Sequence, residues 1–442
     1  MKSLYPCSML ELEHALEFDA ACDPAFFSAL PTRPGIFLLE MSDPAAEPYL
    51  ARTADIRRAA ERLLALPEVS SNRLNLRSVA ARIRYRATGS KFEQMVAHYQ
   101  QARAHFPRRY RNLVRVRPPA MLRVNLRNEY PRCYVTRSIR GDAGFYFGPF
   151  VSRKAAESFS EGYLDLFKIR RCQIKIRRDP AFPGCMYSQM KMCLAPCFAG
   201  CTKEEYDAEV GRVLKGLDSG GGQLIQDVER DREAASEALD FERAAALHKR
   251  LEKVSAALRG LPELARRVEE FDAVILQRAA EEKTIAVFPM RGGILREPIF
   301  LRFGELSGEP RSVEEILRAG LDSPENEPAN ASGKKNEAAE RGVSEEGFDS
   351  PEKQRRKFGL HTAPPELTEH LSLLTRWFYS NPREGEIFFR EADWPYRRLL
   401  RACSRLLAPP AGESPAGAGS RPARDRIRRL HAFSKAHRPP KK

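Results

Sequence analysis

The chain has 442 residues, in which 74 Lys and Arg outnumber 59 Asp and Glu and give a net charge of +15. This length predicts two to four compact units, and the basic excess favours a polyanionic partner. No apolar run approaches the ~20 residues that a membrane-spanning helix needs, and the first residues lack the cleavage site of a signal peptide, which argues against membrane and secreted proteins.

Residues 1–105 are predicted to form a small α/β unit. Between Pro34 and Leu66 an apolar run, a turn, a second short apolar run and a helical pattern follow one another, which indicates the order strand, turn, strand, helix. Asp55 stands where it can cap that helix. A further helix is predicted from Phe92 to Ala104.

The next region, 106–202, begins with basic residues that alternate with apolar ones from Tyr110 onward. Period-2 alternation predicts strands with one charged face. Such a face is either simply solvated or contacts a DNA backbone, and the basic C-terminal tail favours DNA contact with little sequence preference. The predicted DNA-binding residues are Arg115, Arg117, Arg123, Arg127, Arg137 and Arg140.

Cysteines concentrate in "CMYSQMKMCLAPCFAGC", residues 185–201. Nine cysteines without a secretion signal indicate a reducing cytoplasm and favour a metal site over a disulfide framework. Only one pair has the close spacing typical of zinc ribbons, so the irregular spacing leans toward an iron–sulfur cluster, with zinc as the runner-up and ordinary buried or free cysteines as the plain alternative. The candidate ligands are Cys172, Cys185, Cys193 and Cys197, with Cys201 as a possible fifth.

Residues 203–260 are predicted to be helical, beginning with a capping box formed by Thr202 and Glu205. After a Gly-rich break, two antiparallel helices joined near Asp240 are predicted to bury apolar residues between them, among them Val228, Leu239, Phe241 and Val254. So short a pair cannot cover its own apolar surface, which predicts a partner helix pair.

The remaining chain divides into a folded unit, an insert and a tail. Residues 271–303 indicate a hairpin or meander that turns at Gly292 and Gly293, and a helix and a strand follow from 366 to 408. Residues 321–365 are predicted to be a disordered insert, and 409–442 a flexible basic tail that adds salt-sensitive affinity for phosphates.

Together the cysteine spacing, the preceding "FYFGPFVSRKAAESFSEGYLDLFKIRRC" and the following "DFERAAALHKRLEKV" resemble the UvrC family of the bacterial UvrABC excinuclease. This resemblance implies an α+β multidomain protein with a GIY-YIG-like domain, a Cys module holding a [4Fe–4S] cluster, a UVR-like hairpin, and a split middle domain over 261–320 and 366–408. It also implies that the hairpin binds UvrB, another protein of this excinuclease, through Phe241, Glu242, Arg243, Ala245 and Leu251.

The same resemblance exposes departures at the nuclease motifs. Phe37 replaces the first motif tyrosine, Tyr49 is kept, and Arg52 replaces a lysine, whereas an ungapped count puts Ala59 at the catalytic arginine and His98 at the metal-binding glutamate. A neutral imidazole is a poor ligand for Mg²⁺. We therefore expect a degenerate site, whose remaining catalytic candidates are Tyr49, Arg52 and Arg57, and we expect neither an RNase H-like domain nor helix-hairpin-helix motifs after residue 408.

The resulting hypothesis is a DNA-binding scaffold or modulator of nucleotide excision repair that contacts UvrB. One alternative is an active endonuclease making the 3′ incision with Mg²⁺ at a rearranged site, in which Glu93 joins Tyr49, Arg52 and Arg57. Another alternative is a redox-responsive iron–sulfur protein that binds DNA.

Overall fold

Antiparallel sheets organise the computed structural model, which describes residues 10–19, 23–66, 74–304, 311–323 and 356–408. The N-terminal sheet has the strand order β1-β4-β2-β3. Its elements are β1 His14–Glu17, α1 Asp23–Ala29, β2 Gly35–Met41, β3 Tyr49–Thr53, α2 Ile56–Leu64, β4 Ala80–Ala87 and α3 Lys91–His105.

Both faces of this sheet are covered, which explains the continuous apolar run of β2. Phe37 and Leu39 pack with the core of α1 and α2, whereas Ile36 and Leu38 pack with the core that includes α3. Asp55 caps α2 by accepting a hydrogen bond from the Arg58 amide at 2.9 Å, as predicted. The predicted order of strand, turn, strand and helix is therefore confirmed.

A second sheet follows, with the strand order β6-β5-β7-β8. Its region comprises α4 Tyr110–Leu113, β5 Ala120–Val124, β6 Cys133–Thr136, β7 Phe145–Phe150, α5 Arg153–Leu164, α6 Met186–Gln189, a 3₁₀ turn at Pro196–Phe198, α7 Lys203–Asp218 and β8 Arg266–Arg267. The prediction of strands from Tyr110 onward was wrong at its start, because 110–113 form a helical turn and Arg115 and Arg117 lie in the connection to β5.

Helix α7 was predicted as part of the helical hairpin region 203–260, but it packs on the second sheet instead. The predicted capping box is present, since the Glu205 amide donates to Thr202 Oγ1 and the Thr202 amide donates to Glu205 Oε2. Tyr206, Val210 and Leu214 are buried in the core shared with β5 and α5. Its apolar face is thus already covered within the chain.

The hairpin itself forms as predicted, from α8 Gly222–Glu237 and α9 Phe241–Leu258. Asp240 caps α9 by accepting from the Arg243 amide at 3.0 Å. Val228, Ala235 and Val254 are buried between the helices, whereas Leu239 and Phe241 were predicted to be buried and are 71% and 68% exposed. The tip of the hairpin therefore presents apolar side chains to solvent.

The third sheet joins the two segments that the sequence analysis paired across the insert. Its order is β11-β10-β9-β13, and β12 also pairs with β10. The elements are a 3₁₀ turn at Val268–Glu270, β9 Ala273–Arg278, β10 Thr284–Arg291, β11 Ile294–Leu295, β12 Ile299–Arg302, α10 Val313–Leu321, α11 Pro365–Phe378, β13 Glu386–Phe389 and α12 Tyr396–Leu407. Gly292 and Gly293 form the β10–β11 turn with positive φ, as predicted.

The predicted insert is shorter than expected at its C-terminal end. Phe358 and Leu360 are buried, and Leu360 forms a β-bridge with Gly144. Residues from 356 onward therefore belong to the fold, while 324–355 and the predicted tail 409–442 lie outside the described residues. None of the helices in the described ranges is long and apolar enough to cross a membrane.

A buried carboxylate, that of Glu369, helps to fix helix α11 to α3 and α4, and it is 2% exposed. It accepts hydrogen bonds from Tyr99 Oη at 2.6 Å, Tyr110 Oη at 2.7 Å and Arg111 Nε at 2.7 Å. A buried charge requires such saturation of its oxygens. This junction sets α3, α4 and α11 side by side.

We expect acid to destabilise the protein partly through His370. Its buried ring accepts a hydrogen bond at Nδ1 from the Leu295 amide at 3.1 Å, and burial lowers the pKa of His370 to about 4. Because the unfolded ring titrates near pH ~6.5, the unfolded state binds more protons below that pH, so stability falls as pH drops from 7 to 4 by up to about 3 kcal/mol.

His370→Asn keeps an acceptor for the Leu295 amide without titrating, so it is expected to flatten the pH dependence of the free energy of unfolding. Urea unfolding at pH 7 and pH 4.5 measures this difference. His248→Asn, on an exposed position of α9, is the matched control. An unchanged slope for His370→Asn would contradict the prediction.

Candidate functional site

The nuclease-like unit contains a cleft at the end of β3. Arg52 lines a cavity of about 320 Å³ together with Met95 and His98 of α3. Leu50 and Arg52 lie on the α3 face of β3, whereas Tyr49 and Ala51 pack with the opposite core beside α1 and α2. Tyr49 and Arg52 therefore lie on opposite faces of the sheet.

The third catalytic candidate, Arg57, does not reach the cleft either. Its Nε donates to the Leu30 carbonyl and its Nη2 to the Ser28 carbonyl, both at 2.8 Å. These bonds tie α2 to the end of α1. Neither Tyr49 nor Arg57 therefore lines the cleft with Arg52, and the catalytic role of these three residues stays a prediction.

Glu93 is also unavailable to a rearranged site. It is 1% exposed, accepts a hydrogen bond from the Gly89 amide at 2.9 Å, and pairs with Arg86 at 3.5 Å. Burial raises the pKa of Glu93, and the Gly89 and Arg86 contacts oppose that shift. The carboxylate holds the first turn of α3 in place and does not line the cleft.

His98 occupies the floor of the cleft, facing Arg52. Burial, helped by the charges of Arg52 and Arg376, lowers the pKa of His98 to about 4, so the ring is neutral at pH 7. Within the described residues no carboxylate lines this cavity. Hard cations such as Mg²⁺ prefer carboxylate and other oxygen ligands, so the chemistry of this cleft does not suit them.

The four candidate cysteine ligands come from the segment between α5 and α7. Cys172, Cys185 and Cys193 are half-buried, and Cys197 is buried in the 3₁₀ turn. Arg170, itself 5% exposed, places a guanidinium nitrogen 3.9 Å from Cys172 Sγ, and the Ala195 amide lies 3.3 Å from Cys193 Sγ.

The four thiols are close enough for their charges to influence the pKa of Cys193. Burial raises the pKa of Cys193 to about 11, and the charges of Cys172, Cys185 and Cys197 add to the rise. Lys191, Ala195 and Ala199 hold left-handed φ values of 55°, 58° and 60°, a conformation that non-Gly residues keep only where their surroundings impose it. Cys201, by contrast, is buried in the core beside α7.

The thiols nevertheless do not converge on one point. In the described part of the chain, no group of three or more His, Cys, Asp or Glu side chains is arranged to hold a metal ion. Four thiols in one short segment suit an iron–sulfur cluster or zinc by donor chemistry, and a bound metal would deprotonate them. Metal binding at these cysteines stays a prediction.

The predicted partner-binding residues lie mostly on the surface of the hairpin. Glu242, Arg243 and Ala245 are exposed beside Phe241, and Leu251 is half-buried. The base of the hairpin is anchored instead, because Leu224 and Leu258 pack against the core of the second sheet. An anchored base and an apolar exposed tip are suited to docking onto another protein.

The predicted DNA-binding arginines separate into two groups. Arg123 is only 9% exposed, pairs with Asp142, and donates to Tyr134 Oη at 2.7 Å, which corrects its assignment as a phosphate contact. The exposed members of the set are Arg115, Arg117, Arg127, Arg137 and Arg140.

Comparison with known families identifies two regions. Residues 120–216 match the UvrC/Cho excinuclease middle domain, and residues 222–257 match the UvrB/uvrC motif, UVR. The second match coincides with the α8–α9 hairpin. In these two regions the chain is similar to UvrC proteins.

Curated UvrC relatives support the same conclusion over about 60% of the chain. "UvrABC system protein C" of Oleidesulfovibrio alaskensis is 30% identical over 277 residues, 62% of this chain and 39% of that protein. The proteins of the same name from Dehalococcoides mccartyi and Moorella thermoacetica are 25% and 26% identical, covering 61% and 62% of this chain and 44% and 45% of their own length. The chain therefore spans less than half of each relative. Among solved structures there is no significant match.

The UvrC middle domain match falls on the second sheet, the cysteines and α7. The middle domain was predicted at 261–320 and 366–408 instead, and most of the strands and helices in those segments form the third sheet. The match ends at residue 216 inside α7, in agreement with the packing of α7 on the second sheet.

Sequence reasoning missed one charged residue of the cleft. Arg376 of α11 lines the cavity beside Arg52, although the two are far apart in the chain. Its basic position in an apolar helix was visible, but no local pattern indicated which unit α11 would contact.

Proposed function

We propose that the protein is a cytoplasmic nucleotide excision repair protein of UvrC type that binds DNA and the excinuclease protein UvrB without cutting DNA. The cleft carries this proposal, because Arg52 faces His98 there and no carboxylate of the described residues lines the cavity. Hydrolysis of a phosphodiester needs a metal held by oxygen ligands and a positioned nucleophile. The residues present supply positive charge alone.

Partner binding in this proposal uses the UVR hairpin. The exposed Phe241 and Leu239 offer an apolar surface that a partner helix pair would cover, and Glu242 and Arg243 flank it with charge. Large apolar side chains at the centre and charges at the rim are the arrangement of protein interfaces. Binding there would bring the chain to DNA already occupied by UvrB.

The cysteine segment would hold a [4Fe–4S] cluster in this proposal, with zinc as the alternative. When bound, such a cluster supplies crosslinks between its thiolate ligands. Cys172 follows α5, and Cys197 precedes α7, so the ligands lie along the segment that connects these two helices, both of which pack on the second sheet. Arg170 would keep a positive charge beside the ligand Cys172.

DNA contact is proposed for the exposed arginines of 115–140. Guanidinium groups on an exposed surface bind backbone phosphates without reading sequence, so affinity should fall steeply with salt. Arg123 is left out because it is paired inside the fold.

The alternative of an active endonuclease predicts nicking that needs a divalent metal and is abolished by Tyr49→Phe. Tyr49 and Arg52 on opposite faces of β3 weigh against this alternative. Binding and incision of the same lesion-bearing duplex, measured in parallel, distinguish the two functions.

A further inference from the structure

The cleft beside α3 is walled by cationic side chains from three separate parts of the chain. Arg52 comes from β3, Arg115 from the connection after α4, and Arg376 from α11. The cavity of about 320 Å³ is completed by Met95, His98, Leu113 and Val114. Among the described residues, none that lines this cavity carries a carboxylate.

One of the arginines, Arg376, is held in place by hydrogen bonds to the backbone. Arg376 donates from Nη1 to the Val114 carbonyl at 3.2 Å and from Nη2 to the Arg115 carbonyl at 3.3 Å. Arg115 itself has a left-handed φ of 55°, a conformation that non-Gly residues seldom adopt. Hydrogen bonds thus hold Arg376 against the backbone beside Arg115, while Arg52, Arg115 and Arg376 all stay exposed to solvent and can meet a ligand.

The positive charges of the cavity act on one another. Burial lowers the pKa of Arg376, and the charges of Arg52, Arg117 and Arg115 lower it further. His98 on the floor contributes no negative charge. A cavity of this kind repels a metal cation and attracts an anion, and guanidinium groups match the oxygens of a phosphate in pairs.

We propose that this cavity binds a phosphate group of a DNA strand through Arg52, Arg115 and Arg376 without a divalent metal. The choice of DNA as the source of the phosphate rests on the proposed function. The site then serves as an anchor for the strand where the resemblance would lead one to expect metal-dependent cleavage. Its ligand is either a backbone phosphate or a terminal phosphate, which share the same oxygens.

The test measures binding of the full chain to a fluorescent single-stranded oligonucleotide by anisotropy, in EDTA and at low salt. Arg52→Gln and Arg376→Gln are each expected to lower the affinity about tenfold, the loss of one charge-assisted contact. Arg58→Gln removes the same charge from an exposed position outside the cavity and should change affinity by less than about twofold. Adding Mg²⁺ should not strengthen binding.

Two further arms identify the phosphate and separate this proposal from the proposed function. If adding a 5′-phosphate to the oligonucleotide raises the affinity, the ligand is a terminal phosphate. If the affinity is unchanged, the ligand is a backbone phosphate. Calorimetric titration with inorganic phosphate alone should show binding that Arg52→Gln abolishes, even if the chain fails to bind DNA. DNA binding that both variants retain at the level of Arg58→Gln would overturn the pocket and leave the proposed function standing.

Discussion

Replacing Cys193 by serine is expected to remove the metal from the protein. Anaerobically purified protein should contain about four iron atoms per chain and the visible absorbance of an iron–sulfur cluster. Cys193 is the test position because it lies near the other three candidate ligands: the charges of Cys172, Cys185 and Cys197 all raise its pKa. Cys193→Ser should therefore reduce the iron content to background, and the same is expected at the other three positions.

The controls for this experiment are two cysteines buried elsewhere. Cys133 lies in β6 and Cys403 in α12, and burial raises the pKa of their thiols to about 12 and about 11. Serine at either position should leave the iron content unchanged. Finding about one zinc per chain and no iron would indicate a zinc site in place of the cluster. Finding neither metal would contradict a metal site at these cysteines.

Replacing Phe241 by alanine is expected to weaken capture of UvrB by at least about tenfold. The ring is 68% exposed at the tip of the UVR hairpin and contributes little to the core of the isolated chain. Aromatic side chains that become buried on association often dominate the binding energy. Surface plasmon resonance with immobilised UvrB measures the change.

Folding is not expected to confound this result. Because Phe241 is exposed, its removal should alter the free energy of unfolding by no more than about 0.5 kcal/mol. Leu66→Ala is the matched control, since Leu66 is 73% exposed but lies in the N-terminal unit. Equal affinities for Phe241→Ala, Leu66→Ala and the unaltered chain would remove the hairpin from the proposed interface.

Local signals in the sequence predicted the elements well. The capping residues Asp55 and Thr202 mark the starts of α2 and α7, and the turn at Gly292 and Gly293 lies between two paired strands. Each of these features depends on residues a few positions apart, so periodicity and turn chemistry suffice to find them.

Long-range packing explains what sequence reasoning could not predict. In the sequence Arg123 has the same alternating basic pattern as the arginines around it. In the structure it pairs with Asp142 and donates a hydrogen bond to Tyr134, so it is not free to contact DNA. The apolar residues along one side of α7 could have packed either against a hairpin or against a sheet. In the structure they are buried against the second sheet. Arg376 lines the cleft because α11 is bound to distant parts of the chain, among them Tyr99 of α3 and Tyr110 of α4 through Glu369.

The measurement that tests the central claim most directly is incision of a lesion-bearing duplex beside binding to that duplex. Anaerobically purified protein is incubated with Mg²⁺ or Mn²⁺, with and without the excinuclease proteins UvrA and UvrB. The cleft with Arg52 and His98, and without a carboxylate from the described residues, predicts binding without incision under every condition. Incision that depends on the divalent metal and disappears in Tyr49→Phe would contradict the scaffold function and establish the chain as an endonuclease.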